Sequence, residues 1–390
     1  LLMNKKTFFS PLLLAGLLGL ASSSLHAAPM VSLGNNTDIF FNGSAALTVD
    51  DNITLDETTE LDDVIFNFTP GIEVNFGRGQ TNADFTILWQ EDFIRYSEED
   101  QFDADNTSLS ASGSYNGPKF SGSGNLAFLE RQTNTNNINA AGSLIDQDIV
   151  TGTALGEWVL SPKTSFAGGL VFSDISYQGF AAALIPDRDT FSIPLDFYYA
   201  VTPKLDLSVG YQYRDVNIED QNTIPGNDPE DHRLSVGLRG EFNPKLTGEV
   251  KIGLQERSFS VAGLDDESGL SAEGELVWEA SPKVQVTTSL HSDFGVGGAG
   301  GTIENRGLNF DLNYGLSQLW SFGANLGYRN SDYVQQTRED DLTNFGLSLR
   351  YVPNEYVSVR AGYDYADNDS SLAGASYSRS RLNITASLRY

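Results

Sequence analysis

Hydrophobic and polar residues alternate along most of this chain. In the segment 205–214, the residues Leu205, Leu207, Val209, Tyr211 and Tyr213 alternate with polar residues or glycine. The segments 320–329 and 382–390 show the same period of two. Because successive side chains of a strand point to opposite faces, the pattern predicts β-strands that have one apolar and one polar face.

A short motif recurs between these alternating segments. Pro-Lys, preceded in four of five copies by a small polar residue, begins at Pro118, Pro162, Pro203, Pro244 and Pro282, which gives steps of 44, 41, 41 and 38 residues. The stretches from Ser317 and Val352 are degenerate copies. A period near 40 indicates one repeated unit, which we interpret as a strand, a polar loop, a returning strand and a short turn.

The alternation of long and short connections predicts the fold class. Polar loops begin at Ser97, Thr133, Glu219 and Gly295, whereas each Pro-Lys motif is a turn of two or three residues. From Asp38 to Tyr390 we count about 18 strands (16–18) in nine hairpins. We therefore expect an all-β protein, a transmembrane antiparallel up-and-down β-barrel with short periplasmic turns, longer extracellular loops and no room for a plug domain.

A soluble β-sheet would show the same alternation of apolar and polar residues. A membrane barrel differs from it in that the apolar side chains face outward. The strands are long enough to cross a bilayer at a tilt, and we expect their apolar register to carry no charges. Aromatic residues adjoin the short turns, as in an interfacial girdle. They are Trp158, Tyr199, Phe242, Trp278, Trp320, Tyr351 and Tyr356.

The composition and the first residues indicate the compartment. Residues 1–27 have a basic start, an apolar run and small residues near Ala27, which predicts a cleaved signal peptide ahead of one barrel domain at 28–390. No later segment has the apolar length of a membrane helix, so we expect export to the cell outer membrane without a helical anchor. The net charge of −28 argues against nucleic acid, and the absence of cysteine excludes thiolate metal sites.

The repeated units "SPKTSFAGGLVFSDISY" and "TPKLDLSVGYQYRDVN" resemble the β-barrel porin type 2 family of Gram-negative bacteria. The resemblance covers most of the chain after residue 27. It implies an outer-membrane barrel, and some members of that family accompany exopolysaccharide operons. The last strand, which ends at the aromatic Tyr390, resembles the terminal signal by which the barrel-assembly machinery recognises its substrates.

Candidate catalytic and metal-binding motifs are weak, so we expect no enzyme and no cofactor. His291, Ser292 and Asp293 have the residue types of a hydrolase, yet adjacent residues of a strand point to opposite faces. His232 is interpreted as a rim residue. "GVGGAGG" from Gly295 is interpreted as a flexible outer loop. The acidic loop from Asp50 is interpreted as solvated, with weak divalent-cation binding as the alternative.

The polar face of the strands supplies the candidate pore-lining residues. Their mixed charges fit either a hydrated passage with transverse fields or salt bridges that brace the wall, and the sequence leaves both open. The predicted inward-facing residues are Arg214, Arg239, Lys251, Arg329, Arg350, Arg360, Arg389, Asp196, Asp206, Glu249, Glu273, Glu275, Asp311 and Asp364.

The leading functional hypothesis is a porin-like, passive, water-filled channel for small hydrophilic solutes. Two alternatives are a barrel that assists exopolysaccharide export and a closed structural or adhesive surface barrel. Outer-membrane lipid and lipopolysaccharide are the expected partners, together with a small solute or a polysaccharide. The sequence does not determine the oligomeric state.

Overall fold

The computed structural model of the protein describes residues 28–77, 82–133, 144–179, 181–183, 185–220, 227–261, 263–298, 300–334 and 336–390. The predicted signal peptide lies outside these ranges, as do most of the loop after Thr133 and the centre of the loop after Glu219. The strands in the described residues are β1 Val31–Leu33, β2 Thr37–Asp50, β3 Asp63–Phe76, β4 Ala83–Tyr96, β5 Ala104–Asn116, β6 Phe120–Thr133, β7 Ile145–Ser161, β8 Thr164–Tyr177, β9 Arg188–Ala200, β10 Leu205–Ile218, β11 Pro229–Asn243, β12 Leu246–Phe259, β13 Glu267–Ser281, β14 Val284–Val296, β15 Thr302–Gly315, β16 Trp320–Tyr333, β17 Arg338–Tyr351, β18 Val357–Ser370 and β19 Tyr377–Arg389.

Strands β2 to β19 form a closed barrel of 18 antiparallel strands, as the sequence predicts. Each strand pairs with the next one in the chain, and β19 pairs back onto β2. Phe41 and the C-terminal Tyr390 exchange two backbone hydrogen bonds at this seam. Closure leaves no unpaired sheet edge, which lipid would penalise. The short β1, which the sequence did not indicate, pairs with the start of β2 outside this count.

The short turns explain why a small polar residue precedes Pro-Lys. The side-chain oxygens of Ser161, Thr202, Asn243 and Ser281 each accept a hydrogen bond from the backbone N–H of the lysine two residues later. Proline between them presets the backbone for the turn. The degenerate copies keep this bond at Ser317 and Asn354. These turns all lie at one end of the barrel, the short-turn end, which is periplasmic in barrels of this class.

The apolar register faces outward and the polar register faces the interior. On β10, Leu207, Val209 and Tyr211 are 42–49% exposed, whereas Ser208 and Arg214 are buried. A soluble fold would bury the apolar side chains, so the reversed pattern matches a barrel in lipid. The aromatic residues of the predicted girdle lie at the short-turn end, where Trp320 and Tyr351 stack at 4.5 Å between ring centroids.

The expectation of an uncharged outer register is wrong near the opposite end. Asp174 on β8 stands opposite Asp189 on β9, in register with the exposed Phe172 and Phe191. Glu91 on β4 is likewise in register with Trp89. Each of these carboxylates lies within six residues of the strand end that is opposite the short turns. The membrane penalty for charge falls towards zero at this depth, so the acidic residues indicate where the hydrocarbon layer ends.

The long-loop end is extracellular by the same alternation, and its loops fold inward. Ile53 of the loop 51–62 packs with Ile65 and Phe102, and Ile185 of the loop 178–187 packs with Ile145. The connections are longest in the first half of the chain, with 12 residues between β2 and β3, and they shrink to 4 between β16 and β17. The mouth is therefore partly filled by apolar side chains.

Among the described residues, no helix is long and apolar enough to cross a membrane.

Candidate functional site

The candidate functional site is the barrel interior, and its two sides differ. We call the inner faces of β7–β14 the paired wall. Arg239 on β11 donates two hydrogen bonds to Glu157 on β7, at 3.0 and 2.9 Å, and another to Asp206 at 3.3 Å. Its guanidinium lies 3.5 Å from the ring centroid of Tyr198. An ion pair between strands four apart requires strong curvature of the wall, because neighbouring strands are about 4.8 Å apart.

A lysine extends this network to β12. Lys251 lies 2.9 Å from Asp196 and 3.3 Å from Glu249. Glu249 also accepts a hydrogen bond from the Tyr198 hydroxyl at 3.1 Å. Both cations in this part of the wall are therefore paired with carboxylates.

A second ion-pair network lies closer to the long-loop end. Asp231 accepts hydrogen bonds from Arg214 and Arg257, both at 2.6 Å from Nε. Asp293 on β14 is bound by Arg214 at 2.9 Å and by Arg233 at 2.5 Å. Buried charges persist when they are paired and hydrogen-bonded, as these groups are. The network therefore holds β10–β12 to β14.

Three arginines also hold the β14–β15 tip, defined here as residues 294–298 and 300–303, inside the lumen. Arg214, Arg257 and Arg188 donate to the carbonyls of Phe294, Gly295 and Val296 at 2.7, 2.7 and 3.1 Å. Pairing of β14 with β13 stops at Ser292, although β13 continues to Glu267. Beyond Ser292 the hairpin leaves the wall and turns inward.

The tip corrects the interpretation of "GVGGAGG" as a flexible outer loop. Gly295 and Val296 belong to β14, Phe294 and Ile303 are only 4% exposed, and Thr302 is buried. The glycines explain the difference, because Gly300 has a backbone conformation that favours glycine and a Cβ on Gly297 would lie 3.0 Å from Ile303. Gly300 has φ +80°, and an added Cβ would lie 3.4 Å from Pro186.

The opposite side, the inner faces of β16–β19, is called the arginine wall. It carries seven arginines against two aspartates, Asp340 and Asp364. Three of the arginines are ion-paired, namely Arg338 with Asp340, Arg379 with Asp50 and Arg389 with Glu73. Within the described part of the chain, the other four have no carboxylate partner. They are Arg329, Arg350, Arg360 and Arg381.

A cavity of about 370 Å³ lies against the arginine wall. Leu55 of the loop 51–62 lines it on one side, and the wall supplies arginines, two aspartates, amides and tyrosines on the other. The wall residues include Arg329, Arg379, Arg381, Asn325, Asn344 and Tyr377. Its volume suits a small molecule or several waters. Open space in the lumen therefore adjoins the arginines that lack carboxylate partners.

The predicted inward-facing residues divide between the two walls. Asp196, Asp206, Arg214, Arg239, Glu249, Lys251 and Glu273 lie in the networks of the paired wall, and Glu275 stands opposite Glu249 in register. Arg329, Arg350, Arg360, Asp364 and Arg389 lie on the arginine wall, and Asp311 lies beside it on β15.

Several residues of these networks were not predicted. They are Glu73, Glu157, Asp231, Arg233, Arg257, Arg338, Asp340, Arg379 and Arg381. For Arg381 a signal existed, because its neighbour Leu382 is in the apolar register.

Three interior aromatic rings are covered by guanidinium groups. Arg389 lies 3.6 Å from the Phe40 ring centroid, Arg338 lies 4.3 Å from that of Tyr333, and Arg239 stacks on Tyr198. Ring faces occupied in this way are not free to stack on a sugar.

The candidate catalytic and metal motifs serve the fold. Ser292 donates to the carbonyl of Leu270, whereas Asp293 belongs to the paired wall. His232 lies on the outer face of β11 and bonds to the Tyr211 hydroxyl at 2.8 Å. In the acidic segment, Asp63 accepts the backbone N–H of Glu99 at 2.9 Å. No cluster of three or more metal-ligating side chains occurs in the described ranges.

A closed 18-strand barrel with an apolar exterior and a polar lumen defines the class of outer-membrane β-barrels. The family model described as "Putative beta-barrel porin 2" matches residues 42–390. The chain belongs to this family and is a porin-like barrel of the cell outer membrane. Family and fold point to a channel rather than an enzyme. No curated protein matches the sequence.

Solved structures match the chain at low identity. The outer membrane protein OpdK from Pseudomonas aeruginosa is 10% identical, with 90% of this chain and 99% of that chain covered and a TM-score of 0.49. OccAB3 from Acinetobacter baumannii is 10% identical, with 91% and 99% covered and a TM-score of 0.46. The FrpB iron transporter from Neisseria meningitidis is 9% identical, with 92% and 83% covered and a TM-score of 0.48.

Proposed function

We propose that the barrel is a passive channel through which small hydrophilic solutes cross the outer membrane beside the arginine wall. The observation that carries this proposal is the polar cavity of about 370 Å³ inside the barrel. The paired wall is closed by ion pairs and by the β14–β15 tip, so the arginine wall offers the route. A barrel near this size commonly encloses an aqueous channel.

Planar-bilayer recording tests the proposal. The protein would be purified from outer membranes of a host that lacks its major porins, with heat-modifiable gel mobility as the control for folding. Steady open steps in KCl are expected. A folded barrel that gives no steps at any voltage or loading would contradict the channel.

The polysaccharide alternative has less support. A sugar track needs free aromatic faces, and the interior rings of Phe40, Tyr198 and Tyr333 are covered by arginines. A deletion strain with normal surface polysaccharide would remove this alternative.

Export and assembly complete the proposal. We infer that residues 1–27 direct secretion and are removed, and that the barrel-assembly machinery recognises the last strand through Tyr390. The exposed Tyr390 packs on Tyr356 at 5.6 Å between ring centroids, in the apolar register of β19. Replacing Tyr390 with serine is expected to lower the amount of folded barrel in outer-membrane fractions.

A further inference from the structure

The unequal pairing of the interior arginines points to a class of solute. Arginine stays charged at every physiological pH, so a guanidinium in the lumen needs a carboxylate, water or a bound anion. On β10–β12 all five inner cationic side chains have carboxylates. In the described ranges, Arg329, Arg350, Arg360 and Arg381 do not. Their positive charge is therefore available to a ligand.

These four arginines form a stepped series along the wall. Arg350 of β17 and Arg360 of β18 stand directly opposite each other, and Arg360 stands opposite Thr385 of β19. We call such a set of paired residues across neighbouring strands a row. Arg381 lies four residues from Thr385 along β19. Arg329 is in the row of Tyr377, which is four residues further again. A strand rises about 3.3 Å per residue, so the rows are about 13 Å apart along the strand.

The Arg350–Arg360 pair is unfavourable without an anion. Like charges directly opposite on neighbouring strands destabilise a sheet. Among the described residues, the Arg350 side chain makes one hydrogen bond, a long one to Ser358 at 3.5 Å. An anion bound between two guanidinium groups would convert the repulsion into charge-assisted hydrogen bonds.

In the described residues, the two carboxylates of the cavity form no ion pair with Arg329 or Arg381. Asp340 is bound by Arg338 and also accepts hydrogen bonds from Ser370 and Tyr333. Asp364 stands directly opposite Arg381 in register and accepts a hydrogen bond from Asn383 at 3.0 Å. The cavity lining still holds three arginines (Arg329, Arg379 and Arg381) against these two aspartates, which leaves an excess of one positive charge. Amides and hydroxyls supply the remaining polar lining. The cavity can thus offer cationic forks and neutral hydrogen-bond partners to one small ligand.

We propose that the arginine wall is an anion path, with the Arg329–Arg381 cavity as a binding site for small solutes that bear a carboxylate or a phosphate. This inference rests on the proposed channel and names its solute class. Arginine forks match both oxyanions bidentately, and the positive wall lies inside a protein whose net charge is −28. The preference of the lumen is therefore opposite in sign to the charge of the whole molecule.

Ion selectivity is the first test. The reversal potential in a KCl gradient is expected to show a chloride preference in the native protein, and the variant R329Q/R350Q/R360Q/R381Q is expected to lower the chloride-to-potassium permeability ratio about threefold or more. The matched variant R329K/R350K/R360K/R381K keeps the charge and should keep the sign of the preference. A potassium preference in the native protein, or an unchanged ratio in the glutamine variant, would overturn the proposal.

Binding is the second test, and it separates this inference from the channel itself. Calorimetry with succinate and, separately, with inorganic phosphate is expected to show binding to the folded barrel in detergent, weakened about tenfold or more in both variants because lysine lacks the fork. If the bilayer stays silent but native binding exceeds that of the glutamine variant, the channel fails and the anion site stands. Equal binding in the native protein and that variant overturns the site whether or not the barrel conducts.

Discussion

On the paired wall, carboxylates bind all five inner cationic side chains of β10–β12, whereas four of the seven inner arginines of the arginine wall have no carboxylate partner in the described part of the chain. Arginine side chains therefore have different surroundings on the two walls. Arg239 braces distant strands through Glu157, while Arg329 faces open space. The sequence left bracing and passage as alternatives. The ion pairs of the paired wall match bracing, and we propose passage beside the arginine wall.

The difference predicts where the barrel tolerates change. Removing one member of a buried ion pair leaves the other charge uncompensated. A guanidinium that borders open space loses only contact with water and with neutral partners. Equivalent substitutions on the two walls should therefore have unequal effects on the free energy of unfolding.

The largest effect is expected for Arg257→Gln. Arg257 is fully buried and donates to Asp231 and to the carbonyl of Gly295. Asp231 keeps Arg214 as a partner, so the loss of these charge-assisted hydrogen bonds should cost about 1.5–3 kcal/mol of unfolding free energy. Single-channel conductance should also rise as the tip loosens. Urea unfolding in lipid vesicles, followed by tryptophan fluorescence, measures the first effect.

Arg329→Gln on the arginine wall is the matched control for that substitution. It should change the unfolding free energy by less than about 1 kcal/mol, since it leaves no buried carboxylate unpaired. Equal losses in the two variants would show that the two walls contribute alike to stability.

A glycine pair tests the tip more selectively. Gly300 and Gly374 have φ of +80° and +79°, but only Gly300 has neighbours, Pro186 and Ile218, beside an added Cβ. Valine at either position should cost about 1–2 kcal/mol through the backbone. Only Gly300→Val should also displace the tip and change conductance. If Gly374→Val changes conductance as much, the lumen is not constricted by the tip.

Much of this architecture follows from local chemistry. Period-two alternation determines which residues share a face, and the Pro-Lys turns show which ends of the strands lie together. Alternation also places Arg381 on the inner face, because its neighbour Leu382 faces outward, although the predicted set omits Arg381. Closure of β19 onto β2 follows from the need to satisfy every backbone group in lipid.

The pairing across the lumen could not be predicted in this way. Arg239 and Glu157 are 82 residues apart and meet only because the wall curves tightly. Phe294 departs from the alternation rule, since the hairpin turns inward after Ser292 and its outer face packs on the inner face of the wall. Such contacts depend on the shape of the whole barrel, which no local pattern contains.

Two substitutions on the arginine wall are expected to change the unfolding free energy in opposite directions. Arg360→Gln relieves the repulsion with Arg350 and should raise the unfolding free energy by about 0.2–1 kcal/mol at low salt, with a smaller gain at high salt. Arg389→Gln, which removes the partner of Glu73, should lower it. Both values come from the same urea titrations at two KCl concentrations. A loss for Arg360→Gln at low salt would show that water or a bound anion already stabilises that pair.

The smallest effect concerns the loop 51–62 above the arginine wall. The Asp56 carboxylate accepts the backbone N–H groups of Thr58 and Thr59 at 2.9 and 2.8 Å, and these bonds lower the pKa of Asp56. A carboxyl whose folded pKa is depressed stabilises the loop fully above its unfolded pKa, near 3.9, and loses this contribution as the pH falls through the lower folded value. Asp56→Ala should therefore speed amide exchange at Thr58 and Thr59 about two- to fivefold at pH 6, since such a bond contributes about 0.5–1 kcal/mol. The difference from the native protein should shrink, and then vanish, as the pH falls through this lower folded pKa. A difference that persists below this pKa would mean that Asp56 orders the loop through packing, and the entrance above the arginine wall would then be insensitive to acid.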